Sequence, residues 1–321
     1  MKSIISLLSI SCLLLTLCLA GCKGAAEHSP GRTITVSIAP LSGMAAAIAG
    51  EQYGISTLMP EGMSPETYEL TPGRVLELGN SSLLLRVGSL GFEQTLTERL
   101  GGAMPATRIV SLGSNIEKLE DKDCDHASGE DPHLWMSPRN MQAMADNLCQ
   151  ALCETDTANA PTYRAAADRY KAHLDSVAAE VARRLSAATC RTFLIHHPAL
   201  GYFARDFGLR QIAVERNGKE PSPRQLQQIA QMCQAEGVRV VFVSREHSGK
   251  TARRIAESIG AKVVEINPLS ANIEEEWLKI ADALQQTSTP LTSCFSKRYF
   301  LLQTTSCLPT ATRCSKSTTR A

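Results

Sequence analysis

Short runs of apolar and β-branched residues alternate along the chain with segments in which apolar residues recur every three or four positions. Runs of the first kind predict buried strands, and segments of the second kind predict amphipathic helices. The predicted strands are Thr33–Ile38, Ile55–Met59, Leu83–Val87, Arg108–Leu112, Thr192–His196, Gln211–Val214, Val238–Val243 and Lys262–Ile266. The predicted helices are Met44–Ala49, Pro72–Leu78, Phe92–Leu100, Asn140–Leu152, Leu200–Phe207, Pro223–Glu236, Thr251–Ile259 and Glu274–Leu284. This alternation predicts an α/β fold with two lobes, each a parallel four-stranded sheet flanked by helices.

A longer helical pattern separates the two halves. Pro161 suits the first turn of a helix, and apolar residues from Tyr163 to Leu185 follow at spacings of three and four. A stripe of about 25 residues corresponds to about 37 Å of helix at 1.5 Å per residue. We therefore predict a connecting helix over 161–186 that packs against an N-terminal lobe, 33–160, and a C-terminal lobe, 187–285. The alternative is a surface helix of one lobe.

The N-terminus predicts export. Lys2 precedes an apolar stretch that is too short to span a bilayer well, and the stretch ends in Leu19-Ala20-Gly21-Cys22. Small residues before a cleavage point mark a signal peptide, and the adjacent cysteine resembles a bacterial lipobox, in which that cysteine is acylated. We predict a signal peptide over 1–21, lipidation of Cys22 and a tether over 22–32, which together place the protein at the periplasmic or extracellular face of a membrane. The alternative is an ordinary signal peptide with a chance cysteine.

Composition narrows the function classes. The formal net charge is +1, which argues against a nucleic-acid partner. The chain has 11 cysteines, and those after Cys22 show no CxxC spacing, so a metal–thiolate site is not predicted. Cys149 and Cys153 are one helical turn apart, which suits a helix face. Residues 286–321 are rich in Ser and Thr with little periodicity, and we predict that this tail is disordered.

Four side chains with metal-binding atoms follow predicted strands or strand-and-loop units: Glu66, His133, His197 and Asn267. Singly, each is commonly structural, as a solvated glutamate, a structural histidine or a turn asparagine. The carboxyl ends of parallel strands are where α/β sheets bind ligands, and in two facing lobes those ends converge on one cleft. Two imidazoles and a carboxylate, completed by a weak oxygen of Asn267 or by water, suit a divalent first-row metal. Calcium and magnesium prefer shells made only of oxygen.

The chain contains five distinctive segments: Leu58-Met59-Pro60 with Gly62 through Tyr68, Asp131-Pro132-His133-Leu134-Trp135, His197-Pro198-Ala199 with Tyr202-Phe203-Ala204, Gly218-Lys219-Glu220-Pro221-Ser222, and Asn267-Pro268-Leu269. Together they resemble the zinc- and manganese-binding solute-binding proteins of ABC transporters, the cluster A-I type. The resemblance implies two α/β lobes joined by a rigid helix, a metal ion between them, and delivery of that ion to an ABC-transporter permease by a monomeric binding protein. The implied ion is Zn²⁺, with Mn²⁺ or Fe²⁺ as alternatives.

The chain departs from this family at two ligand positions. The first ligand is usually a histidine and is Glu66 here, and the fourth is usually an acid or is left to water and is Asn267 here. The acidic loop before His133 occupies the place of a His/Asp-rich loop in many zinc-binding members, although His126 and Cys124 are its only soft ligands. The alternative for that loop is a solvated surface.

Two other functions fit the same residues. Two histidines and one carboxylate also resemble catalytic metal sites, and Glu246 or His247 could serve as the general base that such an enzyme needs. A surface adhesin is the second alternative. The resemblance favours a binding protein with no catalytic step.

Overall fold

The computed structural model describes residues 32–100, 107–120, 129–215 and 219–286. The predicted signal peptide, Cys22, the acidic residues around His126 and the tail beyond Gln286 lie outside these ranges. The strands are β1 Thr33–Val36, β2 Gly54–Thr57, β3 Leu83–Arg86, β4 Arg108–Ser111, β5 Thr192–Ile195, β6 Arg210–Ala213, β7 Val240–Ser244 and β8 Lys262–Ile266. The α-helices are α1 Pro40–Ala49, α2 Pro72–Leu78, α3 Gly91–Leu100, α4 Pro138–Thr155, α5 Ala160–Leu185, α6 Gly201–Phe207, α7 Pro223–Ala235, α8 Lys250–Ile259 and α9 Ile273–Gln286.

The strands form two parallel sheets of four. The order is β2-β1-β3-β4 in the first sheet and β6-β5-β7-β8 in the second. Every pairing is parallel, so the carboxyl ends of the four strands in each sheet lie along one edge. The predicted α/β fold with two parallel four-stranded sheets is confirmed.

The helix boundaries differ from the prediction where a cap defines them. We predicted α4 from Asn140, where its apolar pattern begins, but the helix begins at Pro138. The side chain of Ser137 accepts the hydrogen bond of the Asn140 amide at 3.0 Å, and Pro138 suits the first turn because it has no amide hydrogen to satisfy. Cys149 and Cys153 share a face of this helix with their Sγ atoms 4.0 Å apart, as the spacing predicted.

The connecting helix α5 packs against both lobes. It contacts α1 and α4 of the N-terminal lobe and α9 of the C-terminal lobe. Its apolar stripe is buried, and Tyr170 adds a hydrogen bond from its hydroxyl to Glu274 of α9 at 3.2 Å. The prediction of one long helix between two lobes is confirmed, and the alternative of a surface helix on one lobe is wrong.

The hydrophobic core runs from one lobe into the other. One cluster of buried residues includes Ile34 and Leu84 of the first sheet, Leu174 of α5, and Phe242 and Trp277 of the second half. A smaller cluster lies within the C-terminal lobe, around Val241 and Ile255. Within the described ranges, no helix combines the length and the apolar composition needed to cross a membrane.

Candidate metal centre

Three of the predicted ligands meet in the cleft between the lobes. Glu66 lies in the loop between β2 and α2, His133 precedes a short 3-10 turn over Leu134–Met136, and His197 follows the end of β5. One possible ligand atom from each lies within 4.8 Å of the others. His197 Nε2 is 3.3 Å from His133 Nε2 and 2.9 Å from Glu66 Oε1.

These distances suit a small tetrahedral ion. Zinc binds imidazole nitrogen at about 2.0–2.1 Å, and two such ligands at the tetrahedral angle are about 3.3 Å apart. The two Nε2 atoms already have this separation. The carboxylate oxygen of Glu66 is 2.9 Å from His197 Nε2, so an ion between these two atoms requires their separation to increase by about 0.4 Å.

A buried carboxylate fixes the orientation of His133. Asp131 Oδ1 accepts hydrogen bonds from the His133 backbone amide at 2.9 Å and, at 2.8 Å, from its Nδ1. With Nδ1 protonated, Nε2 carries the lone pair that a metal requires. Gly201 leaves room for this carboxylate, because a Cβ atom at that position would overlap Asp131 Oδ2.

His197 is oriented in the same way from the C-terminal lobe. Its Nδ1 lies 3.2 Å from Glu215 Oε2, which leaves Nε2 facing Glu66 and His133. The ring of His247 stacks on His197 with centroids 4.7 Å apart and planes inclined by 18°. The side chain of His197 is only 8% exposed, so these contacts allow its ring little freedom.

The carboxylates and imidazoles shift one another's protonation. Burial lowers the pKa of His197, but hydrogen bonds to Glu215 and Glu66 outweigh it and raise the pKa to about 9. Burial raises the pKa of Glu66, but the hydrogen bond from His197 and the nearby histidine charges outweigh it and lower the pKa to about 2. The hydrogen bond with His197 also lowers the pKa of Glu215. In the metal-free site a proton on His197 therefore takes the place of a cation between two carboxylates.

The site opens into a cavity of about 460 Å³ lined by both lobes. Its walls include Ser89 and Phe92 from the N-terminal lobe and Ser244, Glu246 and Leu269 from the C-terminal lobe. This volume is much larger than a bare ion, so a hydrated ion can enter and exchange its waters for protein ligands.

A comparison of the chain with protein families identifies its class. The family described as ZnuA, zinc-uptake complex component A, periplasmic, matches residues 34–289. The chain belongs to this family. Members of the ZnuA family are the substrate-binding components of transporters, and this member binds a metal outside the cytoplasm for delivery to an ABC importer, as the sequence motifs predicted.

Individual relatives agree with this assignment. A solved structure described as the crystal structure of ZnuA is 30% identical with a TM-score of 0.76, and the match covers 81% of this chain and 100% of that chain. A ZnuA deletion mutant solved with zinc bound is 30% identical with a TM-score of 0.75, and that match covers 81% and 98%. A protein of Treponema pallidum (strain Nichols) named for metal binding is 27% identical over 261 residues, which cover 77% of this chain and 82% of the relative.

The structure does not bring Asn267 into the group of ligands. Its side-chain oxygen accepts a hydrogen bond from the backbone amide of Leu269 at 3.0 Å. The backbone amide of Asn267 donates to the carboxylate of Glu276 at 3.0 Å. Pro268 and Leu269 line the cavity, whereas Asn267 is not among the lining residues. The Asn-Pro-Leu motif thus forms a turn in which the asparagine side chain is already used.

Sequence reasoning missed the two carboxylates that orient the histidines. Asp131 was noted only as part of its motif, although its position two residues before His133 allows it to reach the ring. Glu215 lies two residues after the end of β6, the strand that pairs with β5, and this position at the binding edge of the sheet was the available signal. His247 was considered only as a base, and its stacking on His197 could not be read from the sequence.

Proposed function

We propose that this protein captures Zn²⁺ in the cleft between its lobes and passes the ion to an ABC importer without a catalytic step. The observation that carries the proposal is the convergence of Glu66, His133 and His197, with the two imidazole nitrogens at the separation that tetrahedral zinc requires. The family's description as a zinc-uptake component supports the choice of ion.

The proposed shell contains Glu66 Oε1, His133 Nε2, His197 Nε2 and one water. Water is a better fourth ligand than Asn267, because Asn267 is not among the residues that line the cavity and its side-chain oxygen accepts from the Leu269 amide. Two imidazoles favour zinc over manganese, since manganese prefers oxygen ligands and forms weaker complexes in the divalent series. Copper binds such ligands more tightly still, so its exclusion would depend on supply rather than on this ligand set.

Charge balance favours capture of a dication. Glu66 contributes one negative charge to the ion directly, while Asp131 and Glu215 stand behind the two histidines. Carboxylates in this second position raise the basicity of a ligating imidazole and hold its ring in place. The ion replaces the proton on His197, so capture releases that proton to solvent.

The competing enzyme function makes a different prediction for Glu246. A zinc ion with three protein ligands and a water is also the arrangement of catalytic zinc sites, and Glu246 lines the same cavity. A carrier does not need this carboxylate as a base. We expect Glu246→Gln to support zinc-dependent growth of cells that lack the native protein as well as the wild type does. Loss of growth with normal zinc affinity would favour chemistry at the site.

The central experiment measures metal content and affinity. Protein stripped of metal is titrated with Zn²⁺, Mn²⁺ and Fe²⁺ against a chelating dye, and bound metal is measured by elemental analysis. We expect one tight equivalent of zinc, weakened at least 100-fold by His133→Ala or His197→Ala and less by Glu66→Ala, where water can substitute. Asn267→Ala should change affinity less than threefold.

A matched control distinguishes ligand loss from the general loss of a histidine. His173 is on α5 with its side chain 56% exposed, and His173→Ala should leave zinc affinity unchanged. Preference for manganese, or insensitivity to both cleft histidine variants, would contradict the proposed ligand set.

We also propose that Cys22 is acylated and that the monomeric protein is held at the membrane by this anchor. The support is Leu19-Ala20-Gly21-Cys22 after an apolar stretch. Mass spectrometry of the mature N-terminus should find a lipid-modified Cys22, and Cys22→Ser should release the protein into the soluble fraction. An unmodified N-terminus at another residue would remove the anchor from the proposal.

A further inference from the structure

A second cluster of metal-binding side chains lies behind His197. His196, Glu215 and His247 each offer a ligand atom within 4.8 Å of the others. Two imidazoles and one carboxylate repeat the composition of the first cluster. Among the residues that the structure describes, these are the two groups of at least three such side chains that are close enough to hold one ion.

One buried nitrogen of this cluster has no hydrogen-bond partner among the described residues. His196 is 4% exposed, and its Nδ1 atom is buried with no hydrogen-bond partner in the described ranges. A buried polar nitrogen left without a partner is destabilising, so such groups are uncommon in folded proteins unless they have a use. A metal ion in this cluster would satisfy one of the imidazole nitrogens of His196.

The backbone sets the three residues at one sheet edge. His196 follows β5, Glu215 follows β6 and His247 follows β7, and these strands are neighbours in the order β6-β5-β7. The His196 amide donates to Phe242 O at 3.0 Å, and the Glu215 amide donates to His196 O at 2.9 Å. The cluster therefore rests on a hydrogen-bonded sheet. Its ligand atoms lie within 4.8 Å of one another and need only side-chain rotation to reach ligand separations near about 3.3 Å.

An ion can reach the cluster through the cleft. Glu215 and His247 both line the cavity that contains Glu66, His133 and His197. Glu215 has two oxygens, so Oε2 can stay with His197 Nδ1 at 3.2 Å while the other oxygen binds an ion. His197 of the first cluster stacks on His247 of the second, so the two clusters are adjacent.

We propose that His196, Glu215 and His247 form a second site for a divalent transition metal, filled from the same cleft as the first site. The proposal of this second site rests on the proposed function in one respect, that a metal ion enters this cleft. Zinc fits the ligand types, with water completing the shell. The second ion binds at least tenfold more weakly, because it is repelled by the first and shares a carboxylate that already bonds His197.

The test counts zinc ions bound by the mature protein during dialysis against buffered free zinc. Wild-type protein should bind a first equivalent at low free zinc and a second at tenfold or higher concentration. His247→Phe keeps an aromatic ring against His197 but removes the ligand nitrogen, and His196→Leu removes the buried ligand. Both should lose the second equivalent, and His196→Leu should still take up the first, while His173→Phe, the exposed control on α5, should bind both.

A complementary variant isolates the second site. Glu66→Ala/His133→Ala should lose the tight equivalent and still bind one zinc weakly, and adding His247→Phe should abolish that binding. A wild-type protein that stops at one equivalent would overturn the second site and leave the proposed function intact. Two equivalents in His247→Phe would place the second ion elsewhere, which also overturns it. No binding by the wild type would refute both.

Discussion

Zinc affinity should depend on pH in a range where ordinary histidines no longer titrate. The cause is His197, whose pKa is raised to about 9 by its hydrogen bonds to Glu215 and Glu66 although burial acts against it. Zinc requires the unprotonated ring, so zinc and the proton compete for Nε2. Affinity should therefore rise with pH up to about 9, rather than level off just above the ordinary histidine pKa of about 6.5.

The size of the effect follows from the fraction of neutral His197. With a pKa of about 9, only about 1% of the metal-free protein has a neutral ring at pH 7, which weakens apparent affinity roughly 100-fold, or about 2.7 kcal/mol. Between pH 7 and pH 8 the apparent affinity should rise about tenfold. For a pKa of about 6.5 the same step gives only about 1.3-fold.

Two assays measure this competition. Competition against a chelator of known protonation constants gives the apparent zinc affinity at each pH. Calorimetry at pH 7 in buffers of different ionisation enthalpy gives the protons released, and we expect close to one from His197. The matched variant is Glu215→Gln, which can still accept from Nδ1 but has no charge, so the pKa of His197 should fall and the tenfold step should shrink.

A flat affinity between pH 7 and pH 8 would refute this reasoning, as would zinc binding at pH 7 without proton release.

The metal-free protein offers an independent check. The raised pKa of His197 contributes stability below about pH 6.5 that is lost as pH rises through about 9. The lowered pKa of Glu66 contributes stability above about pH 4.5 that is lost as pH falls through about 2. Together, His197 and Glu66 therefore stabilise the metal-free protein most between about pH 4.5 and about pH 6.5.

Three further predictions test the parts around the site. Asp131→Asn should weaken zinc binding about tenfold, or about 1.4 kcal/mol, because the neutral amide supports His133 less well. A similar loss in Glu130→Gln, the half-buried acid that precedes Asp131, would show a nonspecific charge effect. Small-angle scattering should change little on zinc binding, because α5 packs on both lobes, and a large compaction would contradict this. Truncation after Gln286 should leave the melting temperature within about 2 °C, since α9 ends there with its apolar face already buried, and a larger drop would show that the tail packs on the fold.

The fold could be predicted because its signals are local and repeated. Short buried strands and amphipathic helices alternate throughout, and parallel pairing then places every strand end on the binding edge. This placed Glu66, His133 and His197 near one another without any knowledge of side-chain direction. The remaining errors are at element ends, such as the start of α4, where Ser137 and Pro138 rather than the apolar pattern decide the boundary.

Side-chain direction was beyond the reach of the sequence. Asn267 and Glu215 both lie at strand ends, yet one turns to its own backbone and the other reaches a histidine. The difference depends on which hydrogen-bond partner is nearest after the sheet and the following turn have formed. Similarly, the role of Asp131 depends on the space that Gly201 leaves at the start of α6, 70 positions along the chain.

The spacing of the ligands along the chain has a consequence for export. Glu66, His133 and His197 come from both lobes and are separated by more than sixty residues at each step, so no two of them are neighbours in an unfolded chain. A precursor kept unfolded for translocation therefore presents no preformed chelate to the cytoplasmic zinc pool. The metal site is completed only when both halves have folded. The polypeptide can therefore leave the cytoplasm without bound metal and acquire its zinc after it has crossed the membrane.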